Sequence, residues 1–172
     1  MPSEQLVEVV EKGEIKPCAA LDVCCGTGTE AVYLAENGFE VSAIDISREA
    51  VRIAEKKARD ANVKIDFRTA SALKIPFRDN SFGFVNDRGC FHVFALEYRK
   101  RFAGEIYRVM KPGGIYLLRC FSEKEPGSRG PYRISKQEII DTFSNFEINI
   151  EEIILHGRKG FHRGYRCLRR KI

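Results

Sequence analysis

Short apolar runs alternate with stretches of helical period along most of the chain. Residues 19–24 form one apolar run, and residues 29–36 place apolar side chains on one helical face behind it. Asn37-Gly38 stops that helix, since glycine takes the left-handed conformation cheaply. Residues 40–46 read as a second strand. Ser47 caps a helix whose apolar face is Ala50, Val51, Ala54 and Ala58. Residues 64–69 alternate as a strand nearer an edge does, and residues 81–85 follow the Asp79-Asn80 turn as a fourth strand. Ala103, Ile106, Tyr107 and Met110 recur at helical spacing across 97–110. Lys111-Pro112-Gly113-Gly114 ends that helix before a fifth strand at 114–121. Ser135 and Glu138 have capping-box spacing and start a helix through Phe143. The last two runs, 148–156 and 164–170, lie too close in sequence for a parallel crossover and must pair antiparallel. Strands alternating with helices predict an α/β protein with an open, doubly wound and mostly parallel sheet that closes on an antiparallel hairpin. Ligands of such sheets bind at the carboxyl ends of the strands.

The 172 residues suffice for a single domain, 1–172, and are few for two. No stretch approaches the ~20 uninterrupted apolar residues of a membrane span. Residues 1–14 alternate acids and apolar side chains and lack the profile of a secretion signal. A cytoplasmic protein is expected, without membrane attachment. The six cysteines include no C-x-x-C pair, so no metal is expected and reduced, mostly buried thiols are. The net charge of +5 is uneven: seven Lys or Arg and no acid fall within 156–172.

Residues 21–31, Leu-Asp-Val-Cys-Cys-Gly-Thr-Gly-Thr-Glu-Ala, join the first strand to the first helix. Gly26 and Gly28 permit a sharp turn and close approach of a ligand to the backbone, and the helix start behind them offers unpaired N–H groups. Asp45 ends the second strand, where a carboxylate accepts both hydroxyls of a ribose. An adenosine-containing cofactor is predicted. The same residues fit G-x-G-x-x-A, the dinucleotide fingerprint, so a nicotinamide oxidoreductase stays open. Asp22 repels a pyrophosphate and attracts an ammonium or sulfonium, which favours S-adenosylmethionine.

Residues 21–45, LDVCCGTGTEAVYLAENGFEVSAID, resemble the first two motifs of the class I S-adenosylmethionine-dependent methyltransferases. SALKIPFRDNSFGFVNDRG, at 71–89, resembles their third- and fourth-strand motifs, and RVMKPGGIYLL, at 108–118, their fifth. The likeness spans nearly the whole chain. It implies a Rossmann-like seven-stranded sheet in the order 3-2-1-4-5-7-6, with S-adenosylmethionine as cofactor and S-adenosylhomocysteine as product. By position, Asp22, Cys25, Gly26, Thr27 and Gly28 would surround the methionine end. Asp45 and Ile46 would meet the ribose and adenine, Ser71, Ala72 and Leu73 the adenine edge, and Asn86 the methionine side. Two departures stand out: Cys24 replaces the usual first glycine, and Ser71 a frequent aspartate.

Asp87-Arg88-Gly89-Cys90-Phe91-His92 is similar to the segment after the fourth strand in small-molecule methyltransferases of the thiopurine and tellurite-resistance type. It makes Arg88, Asp87 and His92 the catalytic candidates, with Arg88 to hold an anion and His92 to take a proton. Arg129, Tyr132, Arg133, Phe161 and His162 are further candidates to line a pocket. A small-molecule acceptor is expected, a thiol or other soft nucleophile being favoured. The alternatives are an RNA methyltransferase using the basic C-terminal run, with nucleic acid as partner, and a non-catalytic cofactor-binding subunit. The short lead before the first strand suggests a site that is open, truncated or completed by a partner. The sequence sets no oligomeric state.

Overall fold

The computed structural model describes residues 1–157 and 160–172. Seven strands form one sheet: β1 (Ala19–Val23), β2 (Glu40–Asp45), β3 (Ile65–Thr69), β4 (Phe82–Arg88), β5 (Met110–Phe121), β6 (Phe146–Gly157) and β7 (Gly160–Lys171). Their spatial order is β3-β2-β1-β4-β5-β7-β6. The first five are parallel, and β7 runs antiparallel to both β5 and β6. This is the expected doubly wound sheet with its terminal hairpin.

Helices cover both faces. On one, α1 (Glu4–Glu11) and α2 (Thr29–Glu36) bury Leu6, Val9, Ala31 and Leu34 against Ala20, Phe84 and Leu117 of the strands. On the other, α4 (Leu96–Val109) and α5 (Lys136–Thr142) bury Phe102, Ile106 and Ile139 against Val85, Tyr116 and Leu118. Full burial of side chains of this size is worth roughly 1.5–3 kcal/mol each. α3 (Arg48–Asp60) buries Val51, Ala54 and Ala58, as its period predicts, and Ser47 caps it through Ala50 N. Ser135 and Glu138 form the capping box of α5.

Three differences from the sequence reading bear on the site. α1 went unread, yet Ser3 caps it and Leu6 and Val9 are fully buried. The fourth strand runs to Arg88, so Asn86, Asp87 and Arg88 belong to it rather than following it. Lys111 to Gly114 does not precede the fifth strand but bulges out of it, between the pairs Phe82↔Met110 and Phe84↔Ile115.

The expectation of six reduced thiols is also corrected. Cys24 and Cys90 are joined as a disulfide with Cα atoms 5.5 Å apart, and the other four cysteines are free. The partners are 66 residues apart in sequence. They meet because β1 and β4 are neighbours whose carboxyl-end turns face each other, which cysteine spacing cannot reveal.

Candidate active site

The carboxyl ends of β1, β2 and β4 carry the glycine turn. Gly26 (φ +52°) has open space where a Cβ would stand, whereas at Gly28 (φ +73°) a Cβ would lie 2.7 Å from Ala54 Cβ. The first glycine thus leaves room for a ligand, and the second lets α2 close on α3. Asp45, at the end of β2, accepts hydrogen bonds from Gly26 N and Ser47 N, both 2.9 Å. Beside it Ile46 is 77% exposed, an apolar side chain with nothing covering it. Ser71 Oγ accepts from Leu73 N at 3.2 Å, and Ala72 is buried. Cys25 N binds Ile44 O, and burial pushes the Cys25 thiol far up, so it stays protonated. Lys57 Nζ donates to Thr27 Oγ1 and Thr29 Oγ1, tying the turn to α3.

Behind the turn lies a buried polar cluster. Asn86 Nδ2 donates to Asp22 Oδ1 (2.7 Å) and Glu30 Oε2 (2.8 Å). Arg119, fully buried on β5, donates to Glu30 Oε2 and Asn86 Oδ1, while Ser3 N donates to Glu30 Oε1. Burial, then the charge of Glu30, raises the Asp22 carboxyl to about 7, with Asn86 and Arg119 opposing. Burial also pushes Glu30 up, but Arg119, Asn86 and Ser3 outweigh it and leave Glu30 below the usual range. Asp22 is therefore buried behind the turn and held by Asn86. Glu30, Arg119 and Ser3 were missed. An acid in the first turn of a helix looks like ordinary dipole compensation until its partners are known.

The three catalytic candidates part company. Arg88 is partly exposed, pairs with Glu30 at 3.3 Å and lines a cavity of about 920 Å³. Asp87 is wholly buried: Cys90 N, Phe91 N and Tyr116 Oη donate to its carboxylate at 2.6, 3.2 and 2.8 Å. Burial raises it to about 6 despite these bonds. It holds the turn after β4 and does not face the cavity's lining. His92 lines the cavity, but its Nδ1 accepts from Phe121 N at 2.9 Å. Burial, then Arg133, lowers His92 to about 4, so the ring is neutral and its Nε2 carries the proton. With its Nδ1 lone pair held by a backbone N–H, His92 has no free lone pair for the proton-taking role the sequence suggested.

The remaining walls come from the chain start, the loop before α5 and the hairpin: Ser3, Phe121, Arg129, Pro131, Leu155 and His162 among them. Tyr132 and Arg133 stay outside the lining. Arg133 ties the loop instead, donating to the carbonyls of Pro126, Arg129 and Pro131. Phe161 stands 75% exposed on the hairpin, edge-on to His156. Glu125 is the other group the sequence did not flag. Its Oε1 lies 2.7 Å from His162 Nδ1 and its Oε2 accepts from Arg163 N at 2.6 Å.

The family described as "Methyltransferase domain" matches residues 20–114, more than half of the chain. The chain belongs to the methyltransferase domain family. Among relatives, the 2-heptyl-1-hydroxyquinolin-4(1H)-one methyltransferase of Mycobacteroides abscessus is 26% identical over 148 residues, 84% of this chain and 65% of that protein. The demethylmenaquinone methyltransferase of Thermus thermophilus is 35% identical over 130 residues, 74% of this chain and 58% of its own. The chain thus spans less than two thirds of the length of these relatives. A solved structure of a SAM-dependent methyltransferase from Methanosarcina mazei superposes with a TM-score of 0.85 at 23% identity, covering 95% of this chain and 97% of the other. The seven-stranded class I methyltransferase sheet is common to both. No helix among the described residues of this methyltransferase-family chain is long and apolar enough to cross a membrane.

Proposed function

We propose that the chain, as one domain, is an S-adenosylmethionine-dependent methyltransferase acting on a small-molecule acceptor. One observation carries the reading: the open glycine turn, with Asp45 and the uncovered Ile46 beside it, adjoins the large cavity through Arg88, which lines the cavity while pairing with Glu30 of α2. When bound, the cofactor supplies a methyl carbon already activated by its sulfonium. Asp45 would accept the ribose hydroxyls, and Ile46 with Ser71, Ala72 and Leu73 would cover the adenine. The turn from Cys25 through Gly28 would meet the methionine end, with Asp22 and Asn86 buried below it. The residues fit: an apolar face lacks a cover, a glycine leaves space, and the nearby acids suit a cation.

Positioning is the larger part of such catalysis, roughly 7–11 kcal/mol when reacting groups are held in line. Within small molecules, the sequence favours a thiol or other soft nucleophile. The relatives named for quinolone and menaquinone substrates, and the histidines on the cavity wall, support a ring compound instead. Calorimetry with S-adenosylhomocysteine and with NAD tests the cofactor. S-adenosylhomocysteine is expected to bind, and tighter NAD binding overturns the reading. Asp45→Ala is expected to weaken S-adenosylhomocysteine by ~1.5–3 kcal/mol through lost hydrogen bonds. Release of S-adenosylhomocysteine over a panel of thiols, phenols, amines and RNA then identifies the acceptor.

A further inference from the structure

Two histidines flank Phe121 on the cavity wall. The His92 ring meets it edge-on at 4.8 Å, and the His162 ring stacks on it at 4.8 Å with 27° between planes. They look alike in sequence and differ in chemistry. The Nδ1 lone pair of His92 is occupied by a backbone N–H. His162 has its Nδ1 against Glu125, whose carboxyl is held below the usual range by that contact, although burial opposes it, and by Arg163 N. A carboxylate only accepts, so His162 Nδ1 is the donor. The lone pair then falls on Nε2, which bonds no group among the described residues. The ring is 26% exposed and lines the cavity.

The other lining groups are donors or lie more open to solvent. Arg88, Arg119 and Arg129 are donors only. His156 is 57% exposed, with its Nδ1 3.6 Å from the still more open Glu4. Glu30 lies behind the lining and is committed to Arg119, Asn86 and Ser3.

We propose that His162, oriented by Glu125, is the general base of the transfer, and that the acceptor is an aromatic ring bearing an acidic hydroxyl. The claim rests on the methyltransferase reading and deepens it. His162 Nε2 takes the hydroxyl proton, and the imidazolium is neutralised by Glu125. The oxygen's freed electron pair forms the bond to the methyl carbon as the carbon–sulfur bond breaks, that pair staying on sulfur. The proton leaves to water. Phe121, Leu155 and Pro131 offer flat and apolar surface for a ring, and Arg88 and Arg129 offer positive charge to its oxygen. Imidazoles exchange protons in the neutral range, which suits phenols and enols; aliphatic alcohols are far weaker acids, and a thiol needs no such base.

4-Nitrophenol serves as the probe, because its phenolate absorbs visible light. Added to the protein with and without S-adenosylhomocysteine, below the pH at which it ionises in water, it is expected to bind as phenolate. In His162→Gln the bound phenolate falls about tenfold while S-adenosylhomocysteine binding is unchanged. Turnover to 4-nitroanisole at the same pH falls in step with the bound phenolate, by about tenfold or more. Glu125→Gln is expected to move the acid limb of the pH–rate profile to lower pH. The charges near the base are Glu125 on Nδ1, Arg133 at 5.7 Å from the Phe121 ring, and Arg88, Arg119, Arg129, His156 and Glu4 in the same cavity lining. A probe that binds neutral, that ionises equally in His162→Gln, or that does not bind overturns the inference. Loss of S-adenosylhomocysteine binding in the wild type instead overturns the methyltransferase reading, and the probe experiment without it still judges His162.

Discussion

At the scale of single residues, Asp22 sets a pH dependence. Its folded carboxyl titrates at about 7, well above the ordinary aspartate range near ~3.9. The folded state therefore holds a proton that the unfolded chain has released. Stability is lost as pH rises from about 4 to 7, and the cost is complete above that window and absent below it. Asp22→Asn keeps the acceptor for Asn86 and removes the charge. Its stability advantage is expected to grow across this window to a few kcal/mol, read as urea midpoints from pH 4 to 8; curves that stay parallel contradict the burial argument. His92 supplies a second case. His92→Asn retains an acceptor for Phe121 N, whereas His92→Ala strands that partly buried N–H at a cost of about 1 kcal/mol or more. Urea unfolding separates the two, and equal losses would mean that the ring's packing matters more than its lone pair. Neither role was legible beforehand. Asp45, Ile46 and the glycines could be proposed because a strand end and a glycine turn announce themselves in the local sequence. The fates of Asp87 and His92 depend on Tyr116 and Phe121, 29 residues away in each case.

At the scale of elements, the glycine turn is the most tightly constrained piece. A side chain at Gly28 faces a left-handed backbone and a contact with Ala54 that must yield. Gly28→Ala is expected to destabilise the fold by about 2–4 kcal/mol, combining backbone strain with overpacking. Denaturant titration decides it, and a variant as stable as the parent would show that α2 and α3 are looser than drawn. Strand and helix order was readable because each buried strand is a short apolar run between helical periods, and because the hairpin had no other way to pair. The missed α1 is only eight residues long, and its cap and its place against the sheet depend on Glu30 and the α2 face. The bulge at 111–114 shows the converse: breaker residues in sequence mark either a loop or an irregular strand, and the neighbouring β4 decides which.

At the scale of the whole molecule, the position of the basic residues bears on the RNA alternative. A run of Lys and Arg binds phosphates only where the charges share an accessible face. Along β7 most do not. Arg166 pairs with Glu151 at 2.8 Å and Glu14 at 3.5 Å, and Arg169 is buried with its guanidinium 4.6 Å from the Phe143 ring. Lys171 Nζ is spent on the carbonyls of Tyr107 and Met110 and on Asn80. Arg163 and Arg170 face solvent, and Arg158 and Lys159 lie outside the described residues. Burial of Arg166, Arg169 and Lys171 thus turns much of a conspicuous basic sequence into internal ties that fasten the last strand to its neighbours. Anisotropy of a labelled tRNA fragment is expected to stay flat on titration with the protein at low salt. Saturable binding that collapses as salt rises would instead mean that phosphate-binding charge is gathered elsewhere, and would return the acceptor question to nucleic acid.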